Sequence, residues 1–157
     1  MMSVNRGPAI WLPPPFVYVA AYLLAWLLDR RIEFLIVGRG AGVTQEAIGA
    51  AALVAGLVLM GYSIVVFANA RTAIAPIRPA RQLVMWGPYG VSRNPMYVGL
   101  TLAYVGLAIV NNRAWPLVLL PLALLAMTAI IAREERYLHG TFGDAYDAYR
   151  QRVRRWI

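Results

Sequence analysis

Apolar residues fall along this chain in four long runs, divided by short polar stretches. Residues 12–28 are uncharged, and Pro13, Pro14 and Pro15 stand where a helix can begin. Proline suits a first turn, because the N–H it lacks would have no partner there. This predicts a first span of about 17 to 22 residues. Asp29, Arg30, Arg31 and Glu33 end it, residues 34–37 can add an interfacial turn, and Gly38, Gly40 and Gly42 make the next loop flexible. Residues 47–70 form the second run, with Thr44 as the expected cap and Glu46 in the first turn. Residues 96–110 and 115–132 are the third and fourth runs, and the three-residue break Asn111-Asn112-Arg113 predicts that they form an antiparallel helical hairpin. The fourth helix is expected to continue through Arg133–Leu138 and to stop at His139-Gly140. Beyond it, Phe142, Tyr146, Tyr149, Val153 and Trp156 recur at steps of three and four beside Arg150, Arg152, Arg154 and Arg155. That pattern predicts an amphipathic helix lying on a membrane surface. The fold class is therefore all-α, a polytopic membrane helical bundle of about four transmembrane helices with a C-terminal amphipathic helix, in a single domain.

Composition agrees. The 157 residues are 61% hydrophobic and 14% charged, where a soluble domain would carry about a quarter charged residues. Gly49, Ala52, Gly56 and Gly61 put small residues in the second run, so that a neighbouring helix can approach closely. The net charge of +8 comes from fifteen arginines. Without a basic stripe interleaved with aromatics, they read as headgroup anchors rather than as a nucleic-acid surface. There is no cysteine and a single histidine, which excludes disulfides and thiol chemistry and leaves no metal site expected. An uncleaved first span is expected, since no A-x-A-type site follows the first run. Arginine placement predicts topology. Arg6, Arg71, Arg78, Arg81, Arg93, Arg133, Arg136 and the tail arginines share one side, against Arg30, Arg31, Arg39 and Arg113 on the other. Both termini and the 87–99 stretch are thus expected on the cytoplasmic face, of an inner membrane if the cell is prokaryotic.

Between the second and third runs lies a long polar connection, residues 71–92, in which Pro76 and Pro79 preclude a continuous helix. It leads into Gly87-Pro-Tyr-Gly-Val-Ser-Arg-Asn-Pro-Met-Tyr-Val-Gly99, where turn-formers, an arginine and two tyrosines crowd together. Asn94 can cap the helix that Pro95 starts, and such a terminus offers free N–H groups to an anion. Glu134 and Glu135 oppose the dipole at the end of the fourth helix. They are either a solvated charged face paired with Arg133 and Arg136, or carboxylates that bind hydroxyls or an ammonium, or accept a proton. Arg93 is a headgroup anchor or a carboxylate ligand. Ser63 and Ser92 have no base beside them, so no serine nucleophile is supported. Residue chemistry alone gives a cytoplasm-facing pocket for a polar ligand.

The 87–99 stretch, Glu134-Glu135-x-x-Leu138 and Phe142-Gly143-x-x-Tyr146-x-x-Tyr149 together resemble the isoprenylcysteine carboxyl methyltransferase and phospholipid methyltransferase superfamily of integral membrane enzymes. The resemblance covers residues 71–157 and makes them the expected cofactor-binding core, with residues 1–70 as N-terminal spans. Asn94 stands where the family pattern Arg-His-Pro-x-Tyr-x-Gly has histidine, as in the phosphatidylethanolamine branch. An amide does not titrate, so no acid–base role is expected there. The resemblance implies S-adenosyl-L-methionine as cofactor, with S-adenosyl-L-homocysteine as product. It implies a cofactor pocket walled by Arg81, Gln82, Leu83, Val84 and Tyr89 and completed by Asn94, Pro95, Met96, Tyr97 and Gly99. Glu134 and Glu135 would lie near the methyl-transfer point. Isoprenylcysteine enzymes hold their substrate with an arginine one turn before this glutamate; Ile130 occupies that position here, and Arg133 is the nearest arginine.

Two acceptor classes follow. A lipophilic amine, phospholipid-like or smaller, needs Glu134 as base or ammonium partner; a carboxylate needs no base and would be held by Arg93 or Arg133. The amine is favoured. Membrane lipids are the expected partners, and no obligate protein partner is evident. Competing readings are an NADPH-dependent membrane reductase of sterol-reductase-like design, a non-enzymatic scaffold, and a small multidrug exporter, which would need an acid inside a span that this sequence lacks.

Overall fold

The computed structural model describes residues 13–38, 42–70 and 82–157. Residues 1–12, residues 39–41 and residues 71–81, the last with Pro76, Pro79 and Arg81, lie outside the described residues. Five helices follow in order: α1 Pro14–Asp29, α2 Val43–Asn69, α3 Pro95–Val110, α4 Trp115–Phe142 and α5 Asp144–Arg152, with a 3₁₀ turn at Gly87–Gly90 before α3. No strand occurs among the described residues.

Among the described residues two helices, α2 and α4, are long and apolar enough to cross a membrane. At 1.5 Å per residue they measure about 40 Å, while α1 and α3, of 16 residues each, measure about 24 Å against a hydrocarbon core of about 30 Å. The most apolar windows of α2 and α4 are only 17% and 22% buried within the fold. A soluble core helix would bury such a window, so these outward-facing side chains call for an apolar surrounding. Leu57, Val58, Leu122 and Leu125 are among them.

The second and third helices meet backbone to backbone. A Cβ on Gly49 would lie 2.7 Å from the Val110 nitrogen, and one on Gly99 would lie 2.7 Å from the Gly56 carbonyl oxygen. Gly106 sits as tightly against Gly49 and Leu53. These pairings run antiparallel, and glycines seven residues apart on each helix let the axes close. Gly61 faces open space instead. The expected α3–α4 turn is present, with Asn112 at φ 52°, yet α3 packs chiefly on α2 and α4 chiefly on α1. Tyr18, Tyr104, Ala123 and Met127 form the buried cluster where α1, α3 and α4 meet.

Residues 34–37 do not continue α1 as a helical turn; residues 30–37 are instead fastened to the α3–α4 turn. The Asn112 side chain exchanges hydrogen bonds with the Val37 backbone at 3.0 and 2.8 Å, Ala114 N donates to the Phe34 carbonyl at 2.8 Å, and Arg113 pairs with Asp29 at 2.7 Å. The second helix begins at Val43 with Gly42 as cap, so Thr44 lies inside its first turn rather than at the cap. The fourth helix continues through Pro121 and past His139-Gly140 to Phe142. What ends it is Gly143 at φ 50°, a backbone conformation glycine tolerates. The amphipathic tail is also shorter than its periodicity predicted. Only Asp144–Arg152 is helical, and Tyr146, Tyr149 and Val153 turn inward against Leu83, Leu138 and Phe142. The aromatic face is spent on the domain itself.

The α2–α3 crossing predicts opposite outcomes for two small substitutions. Gly106→Ala forces backbones apart and should lower unfolding free energy by about 1–3 kcal/mol. Gly61→Ala, in open space within a helix, should raise it by up to about 1 kcal/mol. Denaturant unfolding of both variants in detergent micelles checks the pair.

Candidate functional site

At one end of the bundle the sequence places its turn, its acidic pair and its tail together. Pro95 opens α3 and is buried, and Asn94 precedes it in a non-helical conformation. The Asn94 side chain does not cap the helix. Its amide donates instead to the Arg155 carbonyl at 2.9 Å, while Arg93 N donates to the Arg154 carbonyl at 2.9 Å. Ser92 and Arg154 form a parallel bridge, so residues 92–94 and 153–155 run side by side.

One turn into α3, the Tyr97 hydroxyl donates to Glu134 Oε1 at 2.7 Å. That contact joins the start of the third helix to the acidic end of the fourth. Glu135, one residue on, points to another partner set. Its carboxylate is held by Arg155 at 2.6 and 3.2 Å and by Arg93 at 3.2 Å. Glu135 and Arg93 side chains are each only 10% exposed. A buried carboxylate between two guanidiniums is compensated; either charge alone would not be. The bond to Glu135 raises the Arg155 pKa.

Aromatics enclose this end. Tyr89 is buried with Val84 and Val66, with Met96 and Phe67 against them, and its ring lies 4.8 Å from Phe67. The Tyr149 hydroxyl donates to the Tyr89 carbonyl at 2.7 Å. Burial pushes the Tyr89 and Tyr149 hydroxyls upward; nearby Tyr149 and Glu134 add to the rise at Tyr89. Tyr146 is pushed up to about 12, by burial first and then by Glu135, with Arg93 working against both. All three tyrosines are therefore neutral donors near pH 7.

Three buried polar atoms in this region have no partner among the described residues: the Tyr89 hydroxyl and Nε and Nη1 of Arg93. The Tyr146 hydroxyl lies close enough to Arg93 for the guanidinium's charge and hydrogen bonding to hold down the rise in its pKa, although Nε and Nη1 themselves are left over. Orphaned buried donors are costly unless a ligand or water satisfies them. They suit an anionic or hydroxyl-bearing ligand, and the Glu134 carboxylate suits a hydroxyl or ammonium. The residues present thus fit a cofactor that carries a carboxylate, an ammonium and a ribose.

Most of the residues singled out from the sequence gather here: Leu83, Val84, Tyr89, Arg93, Asn94, Pro95, Met96, Tyr97, Glu134 and Glu135. Leu83 and Val84 turn to opposite sides, Leu83 onto the tail and Val84 onto Tyr89. Gln82 is exposed, and Arg81 lies outside the described residues. Gly99 is occupied by its contact with α2, not by an opening toward the turn. Arg133 is exposed and stands apart from the Tyr97–Glu134 and Arg93–Glu135 contacts. Sequence reasoning missed Arg155, because four arginines in a tail read equally well as headgroup anchors. It also missed Trp156, which packs on the cluster shared by Tyr97 and Ile130.

The phospholipid methyltransferase profile matches residues 44–145, a stretch that takes in α2 from its second residue, all of α3 and α4, and the Tyr97–Glu134 contact. The chain belongs to the phospholipid methyltransferase family. This places it in the superfamily that also holds the isoprenylcysteine carboxyl methyltransferases. Members of the family are methyltransferases that in general use S-adenosylmethionine. An uncharacterized protein of Haemophilus influenzae is 41% identical over 64 residues, which is 40% of this chain and 100% of that protein. No solved structure matches the chain. Family membership and the two long apolar helices together support a membrane protein.

The ion-pair geometry predicts unequal losses. Glu135→Ala leaves Arg93 buried and unpaired and should cost about 3 kcal/mol or more. Arg155→Ala removes a guanidinium that is over a third exposed and should cost about 1 kcal/mol. Both should open the tail to carboxypeptidase, and unfolding curves measured beside digestion rates check the order.

Proposed function

We propose that the protein is an S-adenosylmethionine-dependent membrane methyltransferase acting on a lipophilic acceptor, with an amine favoured over a carboxylate. The observation that carries this reading is the Tyr97–Glu134 hydrogen bond of 2.7 Å. It brings the family's two signature segments to one point, beside buried donors on Tyr89 and Arg93 that lack partners. When bound, the cofactor supplies an electrophilic methyl group on a sulfonium sulfur.

The chain's own residues then have separable tasks. Arg93 Nε and Nη1 and the Tyr89 hydroxyl bind polar groups of the cofactor. Tyr97 fixes the Glu134 carboxylate through its hydroxyl. Glu134 accepts the proton that an ammonium acceptor must lose before its nitrogen can attack, or first pairs with that ammonium. Glu135 holds Arg93 and Arg155 in place and so positions the wall. Tyr89, Val84, Met96 and Trp156 keep water from the site, and alignment in a water-poor site supplies the larger part of such catalysis. Arg133, being exposed, is a weak candidate for holding a carboxylate substrate, and Ile130 offers no charge; both features favour the amine.

The same reading places all four apolar helices in the bilayer, α1 and α3 as short or tilted spans. The site, both termini and the arginine-rich connection face the cytoplasm, of an inner membrane in a prokaryote. The acceptor enters sideways from the lipid. An NADPH-dependent reductase is the reading that the cofactor test separates from this one.

Incubation with methyl-labelled S-adenosylmethionine and a membrane lipid extract should label an amine lipid, and the cofactor should raise Tm while NADPH should not. Glu134→Gln should retain that Tm shift and lose about 100-fold in kcat. A Tm shift from NADPH alone, or labelling unchanged in the Glu134 variant, would count against the proposal.

A further inference from the structure

On the flank of the bundle, outside the Tyr97–Glu134 contact, α4 and α5 enclose an open cavity of about 420 Å³. Ala132, Glu135, Arg136 and His139 line it from α4, Asp147 and Arg150 from α5, and Arg155 from the tail. The α4 residues sit at helical steps of three and four, hence on one face, and Asp147 and Arg150 do the same on α5. Gly143 turns the chain back so that the two faces oppose.

Three arginines here meet two carboxylates, and both carboxylates are already engaged. Glu135 is held by Arg93 and Arg155, and Asp147 lies 3.2 Å from His139 Nδ1. Arg136 uses only Nε, toward the Ala132 carbonyl at 3.3 Å. Neither Arg136 nor Arg150 has a carboxylate partner among the described residues. Two guanidinium forks are therefore left to face one concavity. Their planar N–H pairs match a tetrahedral phosphate bidentately. Arg136 stands four residues, about 6 Å, beyond the uncharged run that ends at Ala132, a depth at which lipid phosphates lie when that run spans the hydrocarbon.

We propose that this cavity is a phosphate-binding site, distinct from the methyl-transfer centre, formed by Arg136 and Arg150 with Arg155 at its rim. Its ligand is a phosphate-bearing anion, from the headgroup of a membrane lipid or from solution. The site is separate from the methyl-acceptor reading and stands whether or not the acceptor is an amine. Arg155 links the two, since the same guanidinium that borders the cavity holds Glu135.

Native mass spectrometry of the purified full chain tests it, with phosphatidylglycerol, phosphatidylcholine and inorganic phosphate as probes. The site predicts retention of phosphatidylglycerol or of inorganic phosphate, weakened on the order of tenfold for each arginine removed in R136Q/R150Q. The variant R30Q/R31Q removes the same charge just after α1, at the other end of the bundle, and should bind as wild type does. Retention of phosphatidylglycerol alone identifies a lipid headgroup as the ligand; retention of inorganic phosphate as well identifies the bare anion. Equal weakening in both double variants would mean that net charge alone attracts the anion, and would overturn the proposal. So would the absence of binding by wild type, or unchanged binding by R136Q/R150Q.

Discussion

Glu135 between Arg93 and Arg155 is the interaction on which this end of the molecule depends. It ties three segments that are far apart in the chain: the turn before α3, the end of α4 and the tail. A buried ion pair adds little net stability, because desolvation offsets most of its attraction. Its effect lies in selection of arrangement. With Glu135 in place, Arg93 has one charge-compensated position, the tail has one register against residues 92–94, and Tyr97 meets Glu134. Removing the carboxylate leaves a buried guanidinium that every alternative arrangement must also accommodate.

The rest of the fold supplies the frame for that lock. Glycines on α2 and α3 bring the two backbones into contact, which fixes where Pro95 and Asn94 stand relative to α2. The first helix packs on α4 through Tyr18 and Met127 and so fixes α4 from the other side. The segment 30–37, clasped by Asn112 and Arg113, closes the opposite end. Polar side chains are thereby gathered at the ends of the bundle, where loops and helix termini carry groups that the apolar faces cannot.

The four apolar runs, the helix start at Pro95 and the small-residue contact of α2 were all legible in the sequence, because each follows from local composition and period. So was the meeting of Tyr97 with Glu134, once the segments were recognised as a pair. Other features were not legible. The aromatic period of residues 142–156 fits lipid and protein equally, so the inward turn of Tyr146 and Tyr149 depends on Leu83 and Leu138, which lie far away in sequence. Asn94 has the residue type of a cap, but its amide nitrogen donates to the Arg155 carbonyl, and its side chain makes no bond to the helix N–H groups. Gly99 looked like part of a ligand turn because it sits beside one, whereas its missing side chain serves the α2 contact. In each case a long-range partner decided between two locally acceptable roles.

The central claim is that the methyl donor sits at the end of the bundle locked by Glu135. Ultraviolet cross-linking of methyl-labelled S-adenosylmethionine to the purified protein, followed by peptide mapping, tests it most directly. The account predicts label in peptides spanning residues 82–97 and 134–149. Label confined to residues 22–33 and 111–116, which line the cavity at the opposite end, would contradict it.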